Sequence, residues 1–432
     1  MTVQRKMKDS GIQWIGGIPE NWNMQRIKTL FFERKEKNEP QQTDFILSLG
    51  ASYGVIPYTE KESGGNKAKE KLTDYKLAYP DDIIINSMNI ISGSVGISKY
   101  FGCVSPVYYI LISKSKLYFP KYFCYFFKTK EFQRSLLGLG NGILMKESAN
   151  GSFNTVRMRI PMEKLGTQVI SVPPTDEQQK IANFLDQKCG EIDNIITRTK
   201  ATIEEYKKLK QSVITQAVTK GIRKNRPMKD SGIDWIRKIP IDWLLIRIKW
   251  LLNERNERSV LGKEEPLSMS QKYGIIPTKQ MDIIPNMASS FIGAKLCYKN
   301  DLIFNKLKAH LGVFAVSNYD GLVSPDYAVY YSTNRALLKF LEYLFKTPQY
   351  IGEFRKKSTG VGAGLTRLYT SELFSIYCAI PPICEQYEII DYLNKKCSEI
   401  DKLIQKKEQL LDELENYKKS LIYEYVTGKK EV

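Results

Sequence analysis

The chain is written twice, and whatever it folds into must therefore be a structure that can be built twice. Met7 to Lys28 (MKDSGIQWIGGIPENWNMQRIK) returns as Met228 to Lys249 (MKDSGIDWIRKIPIDWLLIRIK). YGVIP at Tyr53 returns as YGIIP at Tyr273, and GCVSPVYYIL at Gly102 as GLVSPDYAVY at Gly321. VPPTDEQQKIANFLDQKCGEIDNII at Val172 returns as IPPICEQYEIIDYLNKKCSEIDKLI at Ile380. The blocks never change order, which chance similarity does not produce. The period is far longer than that of small solenoid repeats, so each copy is a domain-sized unit.

Each copy has two parts. The first is a mixed segment in which short β-type runs (DDIIIN, SPVYYILI, DLIFNK, SPDYAVYY) are punctuated by Gly, Pro and Asn, with helical stretches such as LLKFLEYLF between them. It reads as a compact α+β domain. The second part reads as one long helix. Thr175 and Gln178 have capping-box spacing after Pro174, and Gly221 supplies the stop after Lys220, with Pro227 beyond. The expected domains are thus 1–174, a helix at 175–222, a second domain at 223–382 and a second helix at 383–432.

A heptad seam fits Ala182, Leu185, Cys189, Ile192, Ile196, Thr199, Ile203, Tyr206, Lys210, Val213 and Ala217, and its register recurs from Ile390 to Tyr425. Thr199, Lys210, Lys407 and Lys418 weaken it. A helix of about 45 residues is roughly 65 Å long, whereas a domain of about 160 residues is roughly 40 Å across. Only GIRKNRP separates the first helix from the second copy. The second domain is too small to carry the chain back, so the second helix is expected to return antiparallel to the first. The fold class expected is α+β: two tandem domains of similar fold separated by two long helices that form an antiparallel coiled coil, pseudo-two-fold symmetric. Such a frame suits two heads reading two half-sites of duplex DNA.

Charge agrees with that division. Of a formal net charge of +18, the two domains hold +9 and +10 and the helices only +1 and −2. Phosphate neutralisation needs cations at the reading heads. Enzyme chemistry is hard to find. There is no GxxxxGK[ST] loop, no Asn/Asp-Pro-Pro-aromatic tetrapeptide for amino-methylation of a base, and no Glu/Asp-x-Lys close behind Asp81 or Asp326 for a nuclease. One histidine, His310, and seven cysteines without a CxxC pair give no zinc site. No apolar run reaches membrane-spanning length and MTVQRKMKDSG lacks a signal-peptide core, so a cytoplasmic protein with reduced thiols is expected.

Direct readout of bases needs Arg or Lys for guanine and Asn or Gln for adenine. One segment of each copy differs strongly while its flanks agree: INSMNIISGSVG, with Asn86, Ser87, Asn89 and Ser92, against FNKLKAHLG, with Asn305, Lys306, Lys308 and His310. Ser52 and Tyr53, matched by Gln271, Lys272 and Tyr273, form a second pair of loops. Near the end of each domain, Lys356, Lys357, Arg367 and Tyr369 in one copy, and Arg157 and Arg159 in the other, are candidates for phosphate contacts. Trp14, Trp22, Trp235 and Trp243 read as core or interface residues, and Cys189 and Cys397 as seam packing.

The openings SGIQWIGGIPENW and SGIDWIRKIPIDW, the stretches LSMSQKYGIIP and NDLIFNKLKAHLGVFAVSNYDGLVSPDYAVY, and the helix starts PPTDEQQKIANFLDQKCGEID and PPICEQYEIIDYLNKKCSEID resemble the specificity subunit of a type I restriction–modification system. The resemblance covers essentially the whole chain. It implies a non-catalytic subunit with two target recognition domains, each reading half of a split double-stranded DNA target, and with the helices as the ruler between halves. It also implies partners: two methyltransferase subunits, which bring S-adenosylmethionine and adenine-N6 chemistry, and up to two restriction subunits using ATP and magnesium. No cofactor or metal is expected on this chain, and no membrane contact. The rival readings are a stand-alone DNA-binding regulator, a protein scaffold, and a nuclease.

Overall fold

The computed structural model describes residues 5–61, 68, 71–141, 146–147, 153–154, 158–270, 273–281, 290–360 and 366–432. The chain forms two compact units, Met1–Thr199 with Gln409–Val432, and Lys200–Glu408. Each unit therefore holds one head together with part of both long helices.

The heads repeat one another strand for strand. In the first, an antiparallel sheet runs in the order Phe31–Glu33, Tyr108–Ser113, Ile83–Asn86, Val95–Ile97. In the second the order is Leu252–Arg255, Tyr327–Ser332, Leu302–Asn305, Phe314–Val316. Register is kept as well: Tyr108 lies opposite Asn86, and Tyr327 opposite Asn305. The apolar runs IIIN and LIFN are buried on both faces. One face packs on the aromatic helix Pro120–Phe127 or Leu338–Phe345. The other packs on a small hairpin, Leu47–Gly50 with Gly54–Pro57, or Leu267–Ser270 with Gly274–Pro277. An early strand of each head, Asn23–Arg26 or Leu244–Arg247, pairs with its last, Val169–Val172 or Tyr377–Ile380. Both ends of the domain are thus tied together just before the long helix departs.

The long helices are single elements, Thr175–Lys220 and Ile383–Val426. Within each unit they run antiparallel. In the first unit Ala182, Leu185 and Ile192 share a core with Leu421 and Val426, and Phe184 stacks near Tyr425 at 4.5 Å. In the second, Ala217 and Val218 share a core with Ile389 and Leu393. Cys189 and Cys397 are buried on the seam, and burial pushes the Cys189 thiol up to about 11. The lysines that weaken the heptad pattern are not idle. Lys418 reaches Asp193 at 2.6 Å in the first unit, and Lys210 reaches Asp401 at 2.6 Å in the second. Polar seam positions matched across helices fix register and orientation.

The helix starts depart from the sequence reading in one respect. Gln178 does not turn back to form a capping box. Its amide is buried in the head, accepting from the Phe119 N–H at 2.8 Å and donating to the Leu117 and Pro173 carbonyls. The Thr175 hydroxyl also goes to Leu117 O. Gln386 repeats this clamp on Leu337 N–H and Pro381 O. One residue earlier, Glu177 accepts from the Trp22 indole at 2.9 Å and pairs with Arg5 at 2.5 Å. Glu385 does the same with Trp243, at 3.1 Å, and Arg226. Gly221 ends the first helix with φ +79°, and a Cβ there would lie 2.6 Å from Arg226 Nη1, so the helix stop is also part of this packing.

Two outcomes are expected. Glu385→Gln, at a carboxylate only 2 % exposed, removes one of the two carboxylates that hold Arg226, Asp242 being the other, and costs about 1–3 kcal/mol by denaturant unfolding; Glu177→Gln, at 17 %, costs less. Lys210→Glu sets two carboxylates together and lowers stability by about 1 kcal/mol. Adding Asp401→Lys restores it, and a double variant no more stable than the single one contradicts the register role.

Candidate nucleic-acid interface

The segment that differs between copies is, in backbone terms, the same device in both. After Ile83–Asn86 the Asn86 side-chain oxygen accepts the Met88 N–H at 3.1 Å. The chain then closes a 3₁₀ turn, Ile90–Ser92, on Gly93 at φ +80°. After Leu302–Asn305, Asn305 accepts the Leu307 N–H at 3.1 Å, and the turn Ala309–Leu311 closes on Gly312 at φ +75°. Asn89 and Lys308 precede these turns with nearly equal dihedrals, φ −125° and −120°, both with ψ 15°. Equivalences follow directly: Asn86 with Asn305, Ser87 with Lys306, Asn89 with Lys308, Ile91 with His310, Ser92 with Leu311.

The candidates fall into distinct environments. Asn89, Ser92 and Lys308 are exposed. Ser87 is fully buried and its hydroxyl donates to Val107 O at 2.7 Å, so it holds the turn rather than facing solvent. Asn86 and Asn305 are half-buried and occupied with their own turns. Lys306 is half-buried; burial, then Lys295, pull its amine below the usual lysine value against the pull of Glu254. His310 Nδ1 lies 3.5 Å from Thr366 Oγ1.

Two further segments meet each turn. The Ile160 N–H donates to Ser87 O and the Leu368 N–H to Lys306 O, both at 3.0 Å. This sets exposed Arg159, and Arg367, beside the turns. Arg367 already pairs with Asp326 at 2.9 Å and lies over Tyr369; Tyr369 is exposed. Lys356 and Lys357 end the helix Pro348–Lys357, which packs on the second turn. They lie 3.5 Å from Glu353 and 3.6 Å from Glu372. The third segment is the hairpin tip. Ser52 and Tyr53, both exposed, connect Gly50 to Gly54. The hairpin rests on the strand that leaves the turn, so closely that a Cβ on Gly96 would lie 2.9 Å from Val55 N. Tyr273 holds the matching place, exposed, its N–H on Ser270 Oγ. Gln271, Lys272 and Arg157 lie outside the described residues.

Sequence reasoning missed a cleft of about 550 Å³ in the first head, where Lys35, Lys37 and Lys76 line the same wall system as Arg159. The Lys76 amine donates to Tyr108 O at 2.7 Å and burial lowers its pKa. The cationic run RKEKN was the available signal. It also missed an ion pair at the far end of the strand that feeds each turn. Arg34 grips Asp82 with two hydrogen bonds, 3.0 and 3.3 Å, and Arg255 grips Asp301 with two, 2.8 and 3.2 Å. Each aspartate immediately precedes that strand. Among the described residues no group of His, Cys, Asp and Glu could hold a metal ion, and no helix is long and apolar enough to cross a membrane.

A backbone device presented twice with different exposed side chains, on heads that hold the positive charge, suits contact with nucleic acid. Residues 19–205 match the type I restriction modification DNA specificity domain. The chain is 23 % identical to the type I restriction enzyme MjaVIII specificity subunit of Methanocaldococcus jannaschii, over 95 % of this chain and 93 % of that one. Its fold matches a chain from a structure of complex assembly and conformational transition of the type I R-M system, with TM-score 0.68, 11 % identity and coverage of 96 % and 99 %. It also matches the HsdS subunit of Thermoanaerobacter tengcongensis, with TM-score 0.54, 12 % identity and coverage of 96 % and 98 %. The chain is thus similar over nearly its whole length to type I restriction enzyme specificity subunits, and residues 19–205 carry the DNA specificity domain match.

Gly96→Val is expected to push the hairpin tip off the first turn. Overpacking costs about 1–3 kcal/mol by denaturant unfolding, and amide hydrogen exchange rises at the tip and at the first turn together. Exchange that rises at the tip alone would count against the tip and turn forming one site.

Proposed function

We propose that this subunit reads a split double-stranded DNA target, one half-site per head, and directs enzymes that it does not itself contain. The observation that carries the reading is the repeated turn: backbone, capping glycine and anchoring asparagine are held constant, while the exposed side chains change from Asn and Ser to Lys and Leu.

The charge division supports a further step. Heads rich in cations suit phosphate, and nearly neutral helices suit protein. In this reading the long helices set the distance between half-sites, and their outer faces carry two methyltransferase subunits, which bring S-adenosylmethionine for adenine-N6 methylation. Up to two restriction subunits join with ATP and magnesium. The chain itself binds none of these cofactors. Asn89, Ser92, Lys308, Ser52, Tyr53 and Tyr273 reach for bases or the adjoining backbone; Arg159, Arg367, Lys356, Lys357 and Tyr369 hold phosphates; His310, Lys306, Asn86 and Asn305 shape the turns. Gln271, Lys272 and Arg157 keep the roles assigned to them from the sequence.

The test uses the subunit co-expressed with its methyltransferase and maps methylated adenines in single DNA molecules. Replacing Asn305–His310 by a different recognition segment is expected to change one half of the target only. Removing one helical turn from both long helices is expected to alter the spacer and leave both half-sites intact. Simultaneous loss of both halves in the first variant, or an unchanged spacer in the second, overturns the modular reading.

A further inference from the structure

Of the eight residues from Asn86 to Gly93, only Asn89 and Ser92 are exposed; of the eight from Asn305 to Gly312, only Lys308 and Leu311 are. These are the same two backbone positions in both heads. They lie three residues apart, one at the residue that precedes each 3₁₀ turn and one at the turn's last residue, and the N–H of the second donates to the carbonyl of the first at 3.0 Å in both heads. The two side chains of each pair are thus presented to solvent from the two ends of one turn. Their neighbours are engaged. Asn86 and Asn305 cap their own turns, Ser87 is sealed on Val107 O, and His310 sits against Thr366. Among the described residues the side chains of Asn89, Ser92 and Lys308 have no hydrogen-bond or ion-pair partner.

We propose that these two positions are the specificity-determining pair of each head: Asn89 and Ser92 select a half-site containing adenine, and Lys308 and Leu311 select one containing guanine with thymine one or two steps away. The assignment rests on the reading of the heads as DNA-contacting. Its chemistry is elementary. The Asn89 amide offers a donor and an acceptor side by side, which matches adenine N6 and N7, and the Ser92 hydroxyl adapts to a neighbour. The Lys308 ammonium has donors only, which matches guanine O6 and N7. Leu311, 50 % exposed, offers nothing polar and matches the thymine methyl group.

The experiment uses the full chain with whatever subunits co-purify, and selects bound duplexes from a random pool. Two chemical probes follow on the selected sequence: 7-deazaguanine, which removes the N7 acceptor, and deoxyuridine, which removes the thymine methyl. Each is expected to weaken wild-type binding about ten-fold at one position of the second half-site. Lys308→Met no longer distinguishes 7-deazaguanine from guanine, and Leu311→Ser no longer distinguishes deoxyuridine from thymidine. The double variant Asn89→Lys, Ser92→Leu carries the second head's preference into the first half-site and leaves the other unchanged. All four positions face solvent, so thermal midpoints are expected to stay near wild type. A selected target whose preferences are indifferent to these four residues overturns the inference and leaves the DNA reading standing. A wild-type selection with no sequence preference overturns both.

Discussion

A carboxylate at the first turn of each long helix, half-buried at Glu177 and buried at Glu385, holds the architecture of each unit together. Glu177 and Glu385 each receive an indole N–H from the head and a guanidinium from the segment that precedes it. Placing a charge there is costly unless it is paired and hydrogen-bonded, and the positive end of the helix favours an anion. Three separate stretches of sequence must converge for the carboxylate to be satisfied, so head and helix meet in one geometry. The glutamine next in line, Gln178 or Gln386, then saturates backbone groups of the head that would otherwise be buried without partners.

From the junction outward, both heads keep the parts that shape the turn. The Arg–Asp grips at the far end of the strands that feed the turns, the asparagines that open the turns and the glycines that close them are the same in both. The residues between differ, buried and exposed alike: Ser87 against Lys306, Ile90 against Ala309 and Ile91 against His310, beside Asn89 against Lys308 and Ser92 against Leu311. One backbone thus carries two different sets of side chains. The long helices show the same economy. Lys210 with Asp401 and Lys418 with Asp193 are one interaction made once in each unit.

Much of this was legible in the chain itself. Two copies in one sequence act as a two-member alignment, and the blocks that agreed marked the strands, helix starts and tryptophan core. The long helices announced themselves through heptads and the glycine after Lys220. What stayed hidden depends on distant partners. Trp22 meets Glu177 across 155 positions, and no local pattern gives that. Gln178 has the spacing of a capping residue, yet the head offers it buried carbonyls and wins. Ser87 lies in a polar run that reads as surface, but alternation at the end of a strand points it inward to Val107. Lys210 and Lys418 looked like flaws in the seam because the aspartates that answer them come from the other helix.

The central claim is that two heads read two separated half-sites. Hydroxyl-radical footprinting of the full chain and its co-purifying subunits on a natural target tests it most directly. The account predicts two protected tracts, differing in sequence and separated by a spacer in which base identity is irrelevant to binding. One continuous tract whose every base pair affects affinity, or two tracts of the same sequence, would contradict it.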